Sequence, residues 1–171
     1  MKSKVATALA ALALVLTGCG SSTGDTSPSP SVPAEATLTE WVTSVGLKDS
    51  LTDLTNSLSA LSADVSAVDA TDTKALADAI AKHGGELQQI AVDIANEPAS
   101  NDTAYEALRS GAAFSIRAFA KLAIALSSAA EADRLKAVTD SIAAITPMNS
   151  ALKPLSEYIT AHGTDTVKPA A

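Results

Sequence analysis

Apolar residues recur at alternating steps of four and three along the part of the chain that follows Gly46. The series is Leu47, Leu51, Leu54, Leu58, Leu61, Val65 and Val68. Because an α-helix turns once in about 3.6 residues, this spacing places all seven side chains on one face and predicts an amphipathic helix. Trp41, Val42 and Val45 follow another phase, which predicts a break near Gly46, and Thr37-Leu38-Thr39-Glu40 can form a capping box before them.

Two further segments repeat this rhythm. A second helix is predicted from Asp72 or Thr73 to just before Pro98, and it should pair antiparallel with the first. Its stripe is Leu76, Ile80, His83, Leu87, Ile90 and Ile94. A third helix is predicted to start at a capping box, Thr103-Ala104-Tyr105-Glu106. Its stripe is Leu108, Ala112, Ile116, Phe119, Ala123 and Leu126.

A fourth apolar segment runs from Ser128, which can cap it together with Glu131, to Pro147, where the helix should end. It carries Leu135, Val138, Ile142 and Ile145. A last short helix is predicted near residues 150–162, with Pro154 in its first turn and Gly163 as its stop.

Four long amphipathic segments with short connections predict an all-α fold, an antiparallel helical bundle over residues 37–163 whose last helix is split near Pro147. The alternative is one continuous bent helix over residues 103–145. Residues 164–171 contain no periodic apolar pattern and are predicted to be a disordered tail.

The start of the chain has the composition of an export signal. An uncharged apolar run over residues 5–16 follows Lys2 and Lys4, and it is too short to span a bilayer comfortably. The tetrapeptide Leu16-Thr17-Gly18-Cys19 closes this run and contains the single cysteine of the chain. It resembles the lipobox of a bacterial lipoprotein precursor. The alternative is an ordinary secretory peptide, which would leave an unpaired thiol exposed.

The resemblance implies a signal peptide over residues 1–18, a diacylglycerol on the thiol of Cys19 and acylation of the new amino terminus. Residues 19–36 are rich in Ser and Pro, a composition typical of a disordered linker. Two or more acyl chains hold a protein stably at a bilayer surface. We therefore expect a domain anchored by lipid to the cell membrane, on its extracytoplasmic face.

The charge of the chain is acidic and unevenly distributed. Loss of Lys2 and Lys4 with the signal peptide changes the formal charge from −7 to −9. Such a balance makes nucleic acid an improbable partner. Arg109, Arg117 and Lys121 fall near one polar face of the third helix. They form either a solvated face that pairs loosely with the acidic first half or a contact patch for an anionic partner.

Neither histidine has the sequence surroundings of a metal site. His83 lies on an apolar seam and precedes Gly84-Gly85, a pair that indicates a bend or a close helix contact. His162 lies beside the expected helix-stop glycine, and no Glu-x-x-His pattern accompanies either residue. Phosphate-binding glycine loops and recognisable nucleophile pairs are also missing from the sequence. The sequence therefore predicts no cofactor, no metal and no catalytic residues.

Two functional interpretations remain. The first is a noncatalytic interaction module of the cell envelope that binds an envelope protein, and small tethered domains of this design resemble phage or prophage superinfection-exclusion lipoproteins. The second is a haem or metal carrier that uses His83, with His162 or Met148 as a further ligand.

Overall fold

The computed structural model describes residues 33–171. The predicted signal peptide, Cys19 and the part of the predicted linker up to residue 32 lie outside the described residues. In the described part, the chain forms six helices and one small antiparallel ribbon. The elements are β1 (Ala36–Thr37), α1 (Leu38–Ser44), α2 (Leu47–Ala67), α3 (Thr73–Asn96), α4 (Thr103–Leu126), α5 (Glu131–Ala143), α6 (Ile145–His162) and β2 (Thr166–Val167).

The helices pack against one another around a single apolar core, so the prediction of an all-α bundle is confirmed. The hairpin of α3 and α4 has the most extensive contact and forms the centre. On its two sides, α2 packs against α3 and α6 packs against α4, while α1 contacts both α2 and α6. The short α5 lies across both helices of the hairpin.

The break predicted at Gly46 is confirmed and has a backbone cause. Gly46 has a φ of +90°, a left-handed conformation that side-chain-bearing residues rarely adopt, and α2 begins at the next residue. At the start of α1, Glu40 N donates to Thr37 Oγ1 at 3.3 Å and Thr37 N donates to Glu40 Oε2 at 2.9 Å. The predicted capping box therefore forms, and its hydrogen bonds hold the pKa of Glu40 below its usual value.

The capping box predicted for α4 is wrong by one residue. Asp102 is the N-cap, and its Oδ1 accepts hydrogen bonds from Ala104 N at 3.1 Å and Tyr105 N at 3.0 Å. Glu106 instead accepts from Ser100 N at 2.7 Å, in the loop that precedes the helix. A carboxylate at the N-cap meets the same free amides as a threonine would, which is why the sequence leaves the choice open.

The ends of α5 and α6 also differ from the prediction. Ser128 Oγ donates backwards to Ala125 O, so α5 begins without a side-chain cap. The helix ends at Ala143, and Pro147 lies in the first turn of α6, where its missing N–H costs no helical hydrogen bond. Pro154 lies inside α6 rather than in a first turn.

Two further expectations in this region are wrong. The alternative of one helix over residues 103–145 fails because α4 ends at Leu126 and α5 begins at Glu131. Leu135, which the sequence assigns to the apolar stripe, is 56% exposed. The stop predicted at Gly163 is confirmed, since α6 ends at His162.

The tail over residues 164–171 is ordered, so the prediction of disorder there is wrong. β2 pairs antiparallel with β1, with Ala36 opposite Val167, and the Val167 side chain is buried. Beyond the ribbon, Asn101 N donates to Lys168 O at 2.8 Å and Ala170 N donates to Ala99 O at 2.9 Å. The tail gains order by pairing with residues distant in the sequence, which a periodicity within the tail cannot reveal.

α3 and α4 are in close contact at Gly84, which is one of the two explanations, a bend or a close helix contact, that the sequence gives for the glycine pair. A Cβ at Gly84 would lie 2.7 Å from Ile124 Cγ1 and 2.9 Å from Ile124 N on α4. The neighbouring Gly85 is exposed, and a Cβ there would meet nothing within 4 Å. Only the first glycine of the pair is therefore required by packing.

Candidate functional site

One side of α4 has no covering element among residues 33–171. We call this surface the α4 outer face, and every residue on it is exposed. Its members are Ala107, Ser110, Gly111, Phe114, Arg117, Ala118, Lys121, Leu122 and Ala125. Positions three and four apart share one side of a helix, so these residues form a single strip along α4. The strip combines small side chains, one aromatic ring and two cations.

Phe114 is the most unusual residue of this face. Its side chain is 74% exposed, whereas Trp41, Tyr105 and Phe119 are fully buried. Tyr158 is half-buried, so Phe114 is the one exposed ring among the five aromatic residues of the whole sequence. Burying a phenylalanine gains about 1.5 to 3 kcal/mol, and this free energy is not used within residues 33–171. A chain with few aromatics therefore places one of them in water.

Arg117 and Lys121 lie one helical turn apart on the same face. Within residues 33–171, neither side chain has a hydrogen bond or an ion pair. Six other cations in this part of the chain do pair with carboxylates, namely Lys74, Lys82, Arg109, Lys136, Lys153 and Lys168. The single carboxylate of α4, Glu106, is turned away from these two residues and bonds Ser100 and Arg109. The α4 outer face is therefore locally cationic on an acidic protein.

The inclusion of Arg109 in the basic patch is wrong. Arg109 is only 5% exposed, and its guanidinium donates to the Glu106 carboxylate through Nε and Nη2. Through Nη1 it donates to Ile94 O at 2.7 Å and to Glu97 O at 3.0 Å. Arg109 therefore serves the fold, because it satisfies carbonyl groups left free where α3 ends. The exposed part of the predicted patch reduces to Arg117 and Lys121.

Glu97 is a buried carboxyl group that the sequence does not single out. Its Oε1 accepts from Ser50 Oγ at 3.4 Å, and its Oε2 lies 4.0 Å from Arg109 Nη1. Within the described part, Oε2 and the buried Tyr105 hydroxyl have no hydrogen-bond partner. Burial raises the pKa of Glu97 to about 8, although the Arg109 charge lowers it, and burial also raises the pKa of Tyr105.

Replacement of Glu97 with glutamine should change how stability depends on pH. Because the pKa of Glu97 is about 8 in the folded chain against a usual 4.5, folding favours the protonated carboxyl group. The contribution of Glu97 to the free energy of unfolding should therefore fall as pH rises from about 4.5 to 8. Above pH 8 we expect Glu97→Gln to be more stable than the natural chain by about 1 to 2 kcal/mol, after a discount for solvent screening.

The measurement is urea denaturation of both chains at pH 5 and at pH 8.5. Near pH 5, where both side chains are neutral, their unfolding free energies should agree within about 0.5 kcal/mol. The Arg109 charge lowers the Glu97 pKa, and the charges of Glu106 and Asp93 raise it. All three residues are present in both chains, so they do not account for a difference between the chains. An equal difference between the chains at both pH values would refute the raised pKa.

His83 is buried and hydrogen-bonded. Its Nε2 lies 2.8 Å from Asp64 Oδ2, and the same oxygen accepts from Lys82 Nζ at 2.8 Å. Hydrogen bonds from Lys82 and then His83 lower the pKa of Asp64. His162 Nδ1 lies 2.7 Å from Asp165 Oδ2, and its ring stacks on that of Tyr158. In residues 33–171, no three His, Cys, Asp or Glu side chains form a group that could hold a metal ion.

Comparison with known proteins gives no match, whether to models of protein families, to curated proteins or to solved structures. Among the helices of residues 33–171, none combines the length and the apolar character needed to cross a membrane. The α4 outer face is the most distinctive surface of residues 33–171.

Proposed function

We propose that this protein is a noncatalytic binding module of the cell envelope, anchored to the membrane through lipid on Cys19. In this proposal the helical bundle stands on the extracytoplasmic side and presents the α4 outer face to an envelope protein. The lipid keeps the module at the membrane surface and the bundle recognises the partner. No step of covalent chemistry on a substrate is required.

The observation that carries the proposal is the exposure of Phe114 beside two cations without partners. An aromatic ring with a neighbouring arginine is a common composition for the centre of a protein interface, where aromatic residues and Arg are enriched. The surrounding Ala, Ser and Gly side chains lose little conformational freedom when another surface covers them. These small residues therefore add little entropic cost when a partner covers the face.

Attachment to a membrane strengthens such a contact. A face centred on a single aromatic ring offers only modest affinity, but two molecules held on one surface meet at a high effective concentration. A contact too weak to persist in dilute solution can then remain occupied. Lipid on Cys19 and the α4 outer face thus act together in this proposal.

The experiment is photocrosslinking in intact cells that express the full chain with a benzophenone amino acid at position 114. We expect one dominant protein adduct at this position and no enrichment of it from Ser59, an exposed position on α2. The double variant Arg117→Glu and Lys121→Glu should lower the adduct yield about tenfold or more.

The matched control is Lys74→Glu with Lys136→Glu, which changes the net charge equally at exposed cations outside the α4 outer face. This control should leave the adduct unchanged. If positions 114 and 59 capture the same mixture of abundant proteins, the α4 outer face is not an interaction site and the proposed function fails.

A further inference from the structure

The charges of the α4 outer face restrict the chemistry of its partner. Arg117 and Lys121 lie one turn apart, which separates their Cβ atoms by about 6 Å, and the exposed strip around them contains no carboxylate. Two carboxylates one turn apart on another helix have the same spacing. A helix with this acidic pair can therefore match both cations at once.

The small residues of the strip favour a helix as the occupant. Gly111 has open space on its outer side, since a Cβ there would meet nothing within 4 Å, and Ala118 lies between the two cations in the sequence. The axes of two helices approach to about 8 Å when the facing side chains are small. Phe114 can then insert between side chains of the partner helix. The shape of this strip fits another helix better than a flat surface.

A second copy of the chain fits poorly if it uses the same face. Two-fold contact of α4 with α4 would bring Arg117 and Lys121 of both copies together without any carboxylate on the strip to neutralise them. Like charges placed opposite each other oppose association. The occupant must therefore bring the negative charge itself.

A bilayer surface is also a weaker match. Helices that lie in a membrane interface carry a broad face of large apolar side chains and many cations, whereas this strip offers Phe114, Leu122 and two cations. The remainder of the protein is acidic and is repelled by anionic lipid headgroups. The charge and the shape of the strip both favour a protein helix over a bilayer surface.

We infer that the α4 outer face binds an acidic amphipathic helix, in which two Asp or Glu residues three or four positions apart lie to one side of a groove that receives Phe114. This inference rests on the proposed function and names the chemistry of its partner. Arg117 and Lys121 bind the carboxylates, and Phe114 supplies most of the apolar contact.

A carbodiimide tests the pairing in native membranes that contain the lipidated full chain. The reagent activates a carboxyl group, the Lys121 amine attacks it to form an amide, and the reagent leaves as a urea that carries away the carboxyl oxygen. We expect an amide from Lys121 to an Asp or Glu of the protein captured at position 114, in a helical segment with a second carboxylate three or four residues away.

Three variants separate the possible outcomes. Lys121→Arg keeps the charge, so the benzophenone adduct should persist while the carbodiimide product disappears. Arg117→Glu with Lys121→Glu should reduce both products about tenfold or more, and the Lys74→Glu and Lys136→Glu control should reduce neither.

Other results would overturn the inference in distinguishable ways. If the protein adduct at position 114 persists in the Arg117→Glu and Lys121→Glu variant, or if its segment lacks the paired carboxylates, the acidic helix is wrong and the proposed function stands. An adduct to lipid would identify a bilayer surface as the occupant instead. Loss of any enrichment at position 114 over position 59 would end the proposed function itself.

Discussion

Replacing Arg109 with alanine is expected to lower the free energy of unfolding by about 3 to 5 kcal/mol. The guanidinium is buried between Glu97 and Glu106 and also bonds the carbonyl oxygens of Ile94 and Glu97. Its loss leaves these carbonyl acceptors without that donor and leaves the Glu106 carboxylate without its cation. Urea denaturation followed by circular dichroism at pH 7 measures the change.

Arg117→Ala is the matched control, because it removes the same side chain from the same helix at an exposed position. It should change stability by no more than about 0.5 kcal/mol. The loss of stability in Arg109→Lys should lie between the losses in Arg109→Ala and Arg117→Ala, since a lysine keeps the charge but cannot reproduce the forked set of hydrogen bonds. Equal losses for Arg109→Ala and Arg117→Ala would show that the buried network does not stabilise the bundle.

Replacing Gly84 with alanine is expected to lower the free energy of unfolding by about 1 to 3 kcal/mol, although alanine is the better helix former. The added methyl group would meet both the side chain and the backbone nitrogen of Ile124, and also Ala123 Cβ at 3.2 Å. A backbone atom cannot move aside as a flexible side chain can. The hairpin of α3 and α4 must therefore open slightly, at the centre of the bundle.

Gly85→Ala provides the control within the same helix. Its new methyl group would point into open space, so only the helical preference remains and stability should rise by up to about 1 kcal/mol. Thermal unfolding of both variants, followed by circular dichroism, should shift the midpoints in opposite directions. Two variants that shift in the same direction would contradict the close contact at Gly84.

The helices were predictable because their cause lies in the local sequence. Apolar residues at alternating steps of four and three place α2, α3 and α4 correctly, and Gly46 marks a break that only its backbone freedom permits. Other features depend on residues that are distant in the chain. β2 forms against β1 near the other end of the described residues, so the sequence of the tail alone does not show its order.

The candidate site was only partly predictable for a similar reason. Arg117 and Lys121 are visible in the sequence as cations on the polar side of α4. Arg109 was misassigned because arginine is usually exposed, yet the steps Tyr105, Arg109, Ala112 and Ile116 continue the buried series. Phe114 lies outside the apolar stripe, and its exposure becomes evident only when the neighbouring helices are in place.

Membrane attachment is the central claim, because the proposed contact depends on holding the bundle beside its partner. Mass spectrometry of the mature amino-terminal peptide, purified from membranes, tests it most directly. We expect a peptide that begins at Cys19 and carries a diacylglycerol on sulfur, and a Cys19→Ala chain that is lost from the membrane fraction. A peptide with an unmodified Cys19 thiol, or a natural chain that fractionates with the cytosol, would contradict the claim.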